Sequence, residues 1–364
     1  KAKAIMFANF EEKGKIFRIL DVNFNRATEG VRVVEEICRF ILEDKSLTLA
    51  LKKFRGDLSK IIKSLAYRKE KYQVLGRFYK ERKALEDVGS QLYTVEESKR
   101  LDLEEIFHAN MKRGQEAIRC LEEFSKIINP IFGKKFKDLR FKLYELEKII
   151  TPKISKAAKL DFDLYVITDP QRDHLEVIRR SLRGGVKIVQ LRDKSISKSA
   201  YARLAKKALA VVKKYGAVLI LNDYWDLVNE VGADGVHLGQ EDIASLPIAR
   251  IRKRMGEEKI IGISTHSLTQ AIRAERQGAD YISVGPIFST PSKPKSKPVG
   301  IELLRKVLKR AKIPVVAIGG VDQKNIEKIA KVGCLRVAII RAVVAQKNVE
   351  AAVKGLRKKL SSKG

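Results

Sequence analysis

Two hydrophobic periods divide the chain. Up to about Leu146, apolar residues recur at three- and four-residue steps in segments rich in Leu, Ile, Lys, Glu and Arg, the spacing of amphipathic helices. Thr151-Pro152 and the Lys-rich stretch to Lys159 read as a helix stop and linker, because proline disfavours helical backbone in the residue before it. Beyond Asp161 short β-branched runs take over. Strands are predicted at 164–168, 187–191, 218–221, 235–238, 260–263, 281–284, 315–318 and 336–340, with helices such as 197–214, 267–277, 300–310 and 323–331 between them. That alternation marks parallel strands joined by helical crossovers. Its even spacing predicts a C-terminal (β/α)8 TIM barrel at 156–364 behind an all-α domain at 1–155, with a doubly wound sheet as the alternative.

The helical part contains a repeat. Asn23, Arg26, Glu29, Arg32, Glu35 and Glu36 return as Asn110, Arg113, Glu116, Arg119, Glu122 and Glu123, and Val31, Val34 and Ile37 return as Ile118, Leu121 and Phe124. Leu51, Phe54-Arg55 and Leu58 likewise match Phe136, Leu139-Arg140 and Leu143. Two related helix pairs packed about a pseudo-twofold axis are expected. Three-residue steps align the charges along one stripe, as in a salt-bridged helix seam. A second reading is a polar groove closed by Arg68, Arg77, Arg82, Lys83 and the Asp87-Val88-Gly89 turn. The stripes alternate in sign, unlike the basic face of a DNA-reading helix pair.

Charge changes the picture only slightly. The 75 Lys and Arg against 44 Asp and Glu give a formal +31, which favours polyanions of every kind. Residues 1–160 carry 36 basic and 24 acidic residues, so both halves share the excess and no basic tract stands apart. Nucleic acid is therefore a weak candidate partner. Cys38, Cys120 and Cys334 are too dispersed for a disulfide framework or a zinc motif. No long uncharged apolar run indicates a membrane span, and no secretory hydrophobic region is seen, so a cytoplasmic location without membrane partners is expected.

The informative polar residues fall just after strands. In chain order they are Thr168-Asp169, Gln190 to Lys194, Asn222-Asp223, His237 to Asp242, Ser264-Thr265-His266, Gly285 to Lys297, Gly319-Gly320 and Arg341. In a closed barrel all would gather on the rim where barrel enzymes carry their chemistry. Asp223 and Asp242 are carboxylates suited to Mg²⁺, while Arg192 and the point charges of Lys194 and Lys293 suit phosphate oxygens. Asn222 and Ser264 add neutral hydrogen bonds. Chemistry on a diphosphate follows from that combination.

The ordered segments Gln-Leu-Arg-Asp-Lys, Asn-Asp, Val-His-Leu-Gly-Gln-Glu-Asp, Gly-Ile-Ser-Thr-His, Gly-Pro-Ile-Phe-Ser-Thr-Pro-Ser-Lys and Ala-Ile-Gly-Gly-Val resemble thiamine phosphate synthase over residues 161–350. Residues 1–150 look like a helical extension found before this enzyme in some bacteria. The resemblance implies condensation of 4-amino-2-methyl-5-hydroxymethylpyrimidine diphosphate with a thiazole phosphate, in free or carboxylated form, to give thiamine phosphate and diphosphate. It implies a dissociative path with Mg²⁺ on Asp223 and Asp242. Arg192, Lys194, Ser264 and Lys293 become catalytic candidates, and Gln190 a pyrimidine contact with Asn222 and His237 nearby. Thr290, Ser292 and Gly320 fall at the thiazole phosphate, where Arg341 either strengthens phosphate binding or faces solvent, and the loop at 289–298 is expected to close over both substrates. His237 is not assigned the part of general base. Departures are Asp193 where Glu is common, Gly333-Cys334-Leu335-Arg336 in place of Gly-Ala-Asp-Gly, and Arg341 in place of a small hydroxyl residue. Other phosphate-binding barrels and a polyanion-binding regulatory module are the alternative functions, and homo-oligomerisation is left open.

Overall fold

Backbone placement in the structure, a computed structural model, is described for residues 10–66, 100–290 and 297–361, and the chain separates into two units, Lys1–Ala158 and Lys159–Gly364. Arg68, Arg77, Arg82, Lys83, the Asp87 to Gly89 turn, Ser292 and Lys293 lie outside the described residues.

The first unit contains helices α1 (Phe10–Glu36), α2 (Lys45–Ala66), α3 (Leu103–Ile128) and α4 (Pro130–Lys159), with a π-helical turn at Ile37–Ile41. Their apolar stripes meet in one core around Val31, Leu51, Met111, Ile118, Phe136 and Leu143. The helix α1 lies against α3 where small residues allow close approach: a Cβ on Gly30 would sit 2.8 Å from the Asn110 carbonyl oxygen. Related contacts occur in both halves. Asp44 and Asn129 accept from the backbone N–H groups of Leu47 and Ile131, each at 3.0 Å. Glu35 pairs with Arg32 and Arg55, and Glu122 with Arg119 and Arg140.

These carboxylates are buried more deeply than their partners. The Glu35 side chain has 0% exposure against 23% for Arg55, so water can solvate the cation but not the anion. Removing Arg55 leaves a buried charge with only Arg32, whereas removing Glu35 leaves an arginine able to turn outward. Arg55→Ala is expected to cost about 3 kcal/mol, and clearly more than Glu35→Gln. Urea unfolding of the full chain, followed by circular dichroism, checks that order; equal or reversed costs would contradict it.

The expected helix stop at Thr151-Pro152 is not observed, since α4 continues through Pro152 to Lys159. Proline removes one helical hydrogen bond at a cost of about 3 kcal/mol. Ile150 and Ile154 on either side are fully buried in the core, and Thr151 Oγ1 donates to the Glu147 carbonyl at 2.8 Å. Tertiary packing outweighs the local preference here.

The second unit is a closed parallel barrel in sequential order, β1 (Leu164–Ile167), β2 (Ile188–Leu191), β3 (Val218–Asn222), β4 (Gly235–Leu238), β5 (Ile260–Thr265), β6 (Tyr281–Val284), β7 (Val315–Ile318) and β8 (Val337–Ile339). The strands match the expected runs within two residues at each end. Strand alternation sorts their side chains: Leu164, Val166, Val189, Leu191, Leu219 and Leu221 pack under the surrounding helices, while Tyr165, Ile167, Ile188, Ile220, Ile260 and Tyr281 fill the barrel. Gly262 is part of that filling. A Cβ there would overlap the Tyr281 ring, so the missing side chain gives the tyrosine its place.

Candidate active site

Inward alternation continues to the C-terminal strand ends, where the filling turns polar. Gln190, Asn222, His237, Ser264 and Ser283 line a cavity of about 450 Å³ at that rim. Arg192, Lys194, Asp223, Thr290, Gly320 and Arg341 complete much of its wall. Ten of the expected site residues are thus brought around one space. Asp242 is outside the lining, on the short helix that follows β4.

Asp223 occupies the left-handed backbone region with φ of 66°, uncommon for a residue with a side chain although tolerated better by Asp and Asn. Its amide donates to the His237 carbonyl at 3.0 Å, which joins the β3 turn to β4. Lys194 Nζ meets Asp223 Oδ2 at 2.8 Å. The lysine is exposed and its stem is flexible, so an arriving anion can draw it from that carboxylate.

A chain of hydrogen bonds crosses the floor of the cavity. Gln190 Nε2 donates to the Tyr165 hydroxyl at 2.8 Å, which meets the Tyr281 hydroxyl at 3.1 Å. Tyr281 meets His237 Nδ1 at 2.9 Å, and His237 Nε2 meets Ser264 Oγ at 2.9 Å. Burial pushes both tyrosines well above the usual phenol range, so they stay neutral. With both ring nitrogens engaged, His237 is suited to holding a tautomer rather than to taking a substrate proton. The two tyrosines are absent from the sequence expectations because each stands within an apolar strand run; their inward register was the available signal.

Asp242 Oδ2 accepts from the Gly239 amide at 2.7 Å and so ties down the start of its helix. Burial raises its pKa, the Gly239 hydrogen bond opposes this, and the negative charge of Asp223 raises it further. Asp242 therefore feels the charge of Asp223. Among the described residues no group of three or more His, Cys, Asp or Glu gathers as a metal cage. Two carboxylates with the remaining positions left to phosphate oxygens and water is the donor set magnesium commonly takes, so the residues fit the ion.

The opposite side is built from backbone. Gly319 and Gly320 have φ of 95° and 65°, and the Phe288 amide donates to the Gly319 carbonyl at 3.0 Å. Successive left-handed glycines let this wall pass close to the loop after β6. Arg341 follows β8 and is exposed at the cavity edge.

Comparison with known proteins adds a family context. The thiamine monophosphate synthase family pattern matches residues 164–343, and that of the ThiD2 family matches residues 18–149. A thiamine-phosphate synthase of Synechocystis sp. is 38% identical over 347 residues, covering 95% of this chain and 96% of its own. One from Thermosynechococcus vestitus is 37% identical over 358 residues and covers 96% of each. The solved structure of a thiamine phosphate pyrophosphorylase from Pyrococcus furiosus is 35% identical, with a TM-score of 0.52 over 56% of this chain and 97% of that one.

Proposed function

Since the chain belongs to the thiamine-phosphate synthase family and catalyses that family's condensation, we propose that its barrel cavity binds the pyrimidine diphosphate at the Arg192 to Asp223 side and the thiazole phosphate at the Gly320 to Arg341 side. The single observation that supports this most is one cavity lined by Arg192 and Lys194 at one end, by Gly320 and Arg341 at the other and by neutral polar side chains between them. The family is associated with Mg²⁺, and Asp223 and Asp242 would hold it. When bound, the ion would neutralise charge on the diphosphate.

The reaction requires one C–O bond to break and one C–N bond to form. The electron pair of the broken bond leaves with diphosphate, whose growing charge interacts with Arg192, Lys194 and Lys293. Gln190, fixed by Tyr165, orients the pyrimidine, while Asn222 and Ser264 supply neutral contacts beside it. The thiazole nitrogen then donates its lone pair to the exposed methylene carbon. No proton has to be removed from that nitrogen, which agrees with His237 being occupied on both sides. Thr290, Ser292, Gly320 and Arg341 hold the second phosphate. No described helix is long and apolar enough to cross a membrane.

Purified chain supplied with both substrates and Mg²⁺ is expected to form thiamine phosphate and diphosphate in equal amounts, resolved by chromatography. Hydrolysis of the pyrimidine diphosphate without coupled product would contradict the two-ended cavity.

A further inference from the structure

We propose that His174 is a positioning residue for the Arg192 to Lys194 segment. It opens the helix His174–Arg183 and does not line the cavity, yet its ring joins Thr168, just after β1, to Asp193, just after β2. His174 Nδ1 meets Thr168 Oγ1 at 2.8 Å, and Nε2 meets Asp193 Oδ2 at 3.0 Å. Each partner holds one end of the segment. Thr168 Oγ1 accepts from the Arg192 amide at 3.0 Å. Asp193 Oδ1 accepts from the Ser195 amide and hydroxyl at 2.8 and 2.6 Å, so Lys194 is bracketed by that turn.

All three central groups are buried, with Thr168 at 0%, Asp193 at 5% and His174 at 7% exposure. Buried polar side chains are costly unless satisfied, and here each satisfies the next. The arrangement also exceeds what helix capping needs, because Asp173 already accepts from the Glu176 amide at 2.6 Å. The Asp193 carboxyl is raised by burial but lowered more strongly by Ser195 and His174, and the net shift is downward, as for a carboxylate committed to fixed donors. One imidazole thus sets the backbone from which both the guanidinium and the ammonium reach the leaving group.

The inference rests on the diphosphate roles given above to Arg192 and Lys194. Steady-state kinetics and titration with inorganic diphosphate test it in the full chain with Mg²⁺. For His174→Ala, KM for the pyrimidine diphosphate and the dissociation constant of inorganic diphosphate should both rise about tenfold, with KM for the thiazole phosphate changing less than about twofold. Thr168→Val should reproduce that split. His174→Gln, whose amide nitrogen can reach Asp193, should recover most of the loss. Folded His174→Ala with unchanged diphosphate affinity would overturn the proposal, as would equal changes for both substrates. If His174→Ala does not fold, Thr168→Val decides by the same criteria. Wild-type protein that binds inorganic diphosphate but forms no thiamine phosphate would defeat the proposed function, while the titration would still judge His174.

Discussion

Asp223→Asn is expected to lower kcat/KM for the pyrimidine diphosphate by about a thousandfold while leaving the fold intact. Asparagine is the informative replacement because it tolerates the left-handed backbone that Asp223 adopts, with φ of 66°. The change therefore isolates charge from conformation. It removes one of the two carboxylates fitted for magnesium and releases Lys194 from its 2.8 Å contact. Freed lysine offsets part of the lost Mg²⁺-mediated attraction for the anion, so binding should weaken less than turnover. Loss should appear mainly in turnover, where charge on the departing diphosphate is greatest. Rates measured at saturating thiazole phosphate with thermal melts on the same samples separate these terms. A folded variant within tenfold of wild type would remove Asp223 from the catalytic account.

Gly320→Ala should damage the other end of the cavity. The backbone at φ of 65° is strained for alanine, and the added Cβ would overlap the carbonyl oxygens of Ser289 and Phe288. Backbone carbonyls cannot swing aside as a side chain can. Strain and overlap together should destabilise the barrel by about 3 kcal/mol, and displacement of the wall should raise KM for the thiazole phosphate on the order of a hundredfold. Gly278→Ala provides the control, since that glycine also has positive φ, at 96°, but has nothing within 4 Å of an added Cβ. It should cost about 1 kcal/mol and leave both KM values unchanged. Equal kinetic effects from the two substitutions would show that close packing at Gly320 is immaterial.

The contrast between these ends explains what was legible in the sequence. Short β-branched runs announced all eight strands because each must bury both faces, one under helices and one inside the barrel. Polar residues at their ends stood out against those runs, so Gln190, Asn222, His237 and Ser264 were visible without coordinates. Tyr165 and Tyr281 were hidden by the same logic: aromatic residues belong in a strand pattern, and only the inward register reveals their hydroxyls at 3.1 Å. His174 was hidden for another reason. Its partners lie six and nineteen positions away, on separate elements, and no local spacing signals that meeting. Asp242 was identifiable by its motif, but its use in holding the Gly239 amide depends on the turn that follows β4. In the helical unit, local rules made Pro152 look like an end, although the buried pair Ile150 and Ile154 carries the helix through it.

The most direct test of the diphosphate assignment is calorimetric titration of the full chain with inorganic diphosphate, with and without Mg²⁺, in wild type, Arg192→Ala, Asp223→Asn and Arg341→Ala. Tight binding should require Mg²⁺, weaken at least about tenfold in the Arg192 and Asp223 variants, and stay close to wild type in the Arg341 variant. Binding that ignores Mg²⁺ and depends on Arg341 instead would place the leaving group at the wrong end of the cavity and contradict the account.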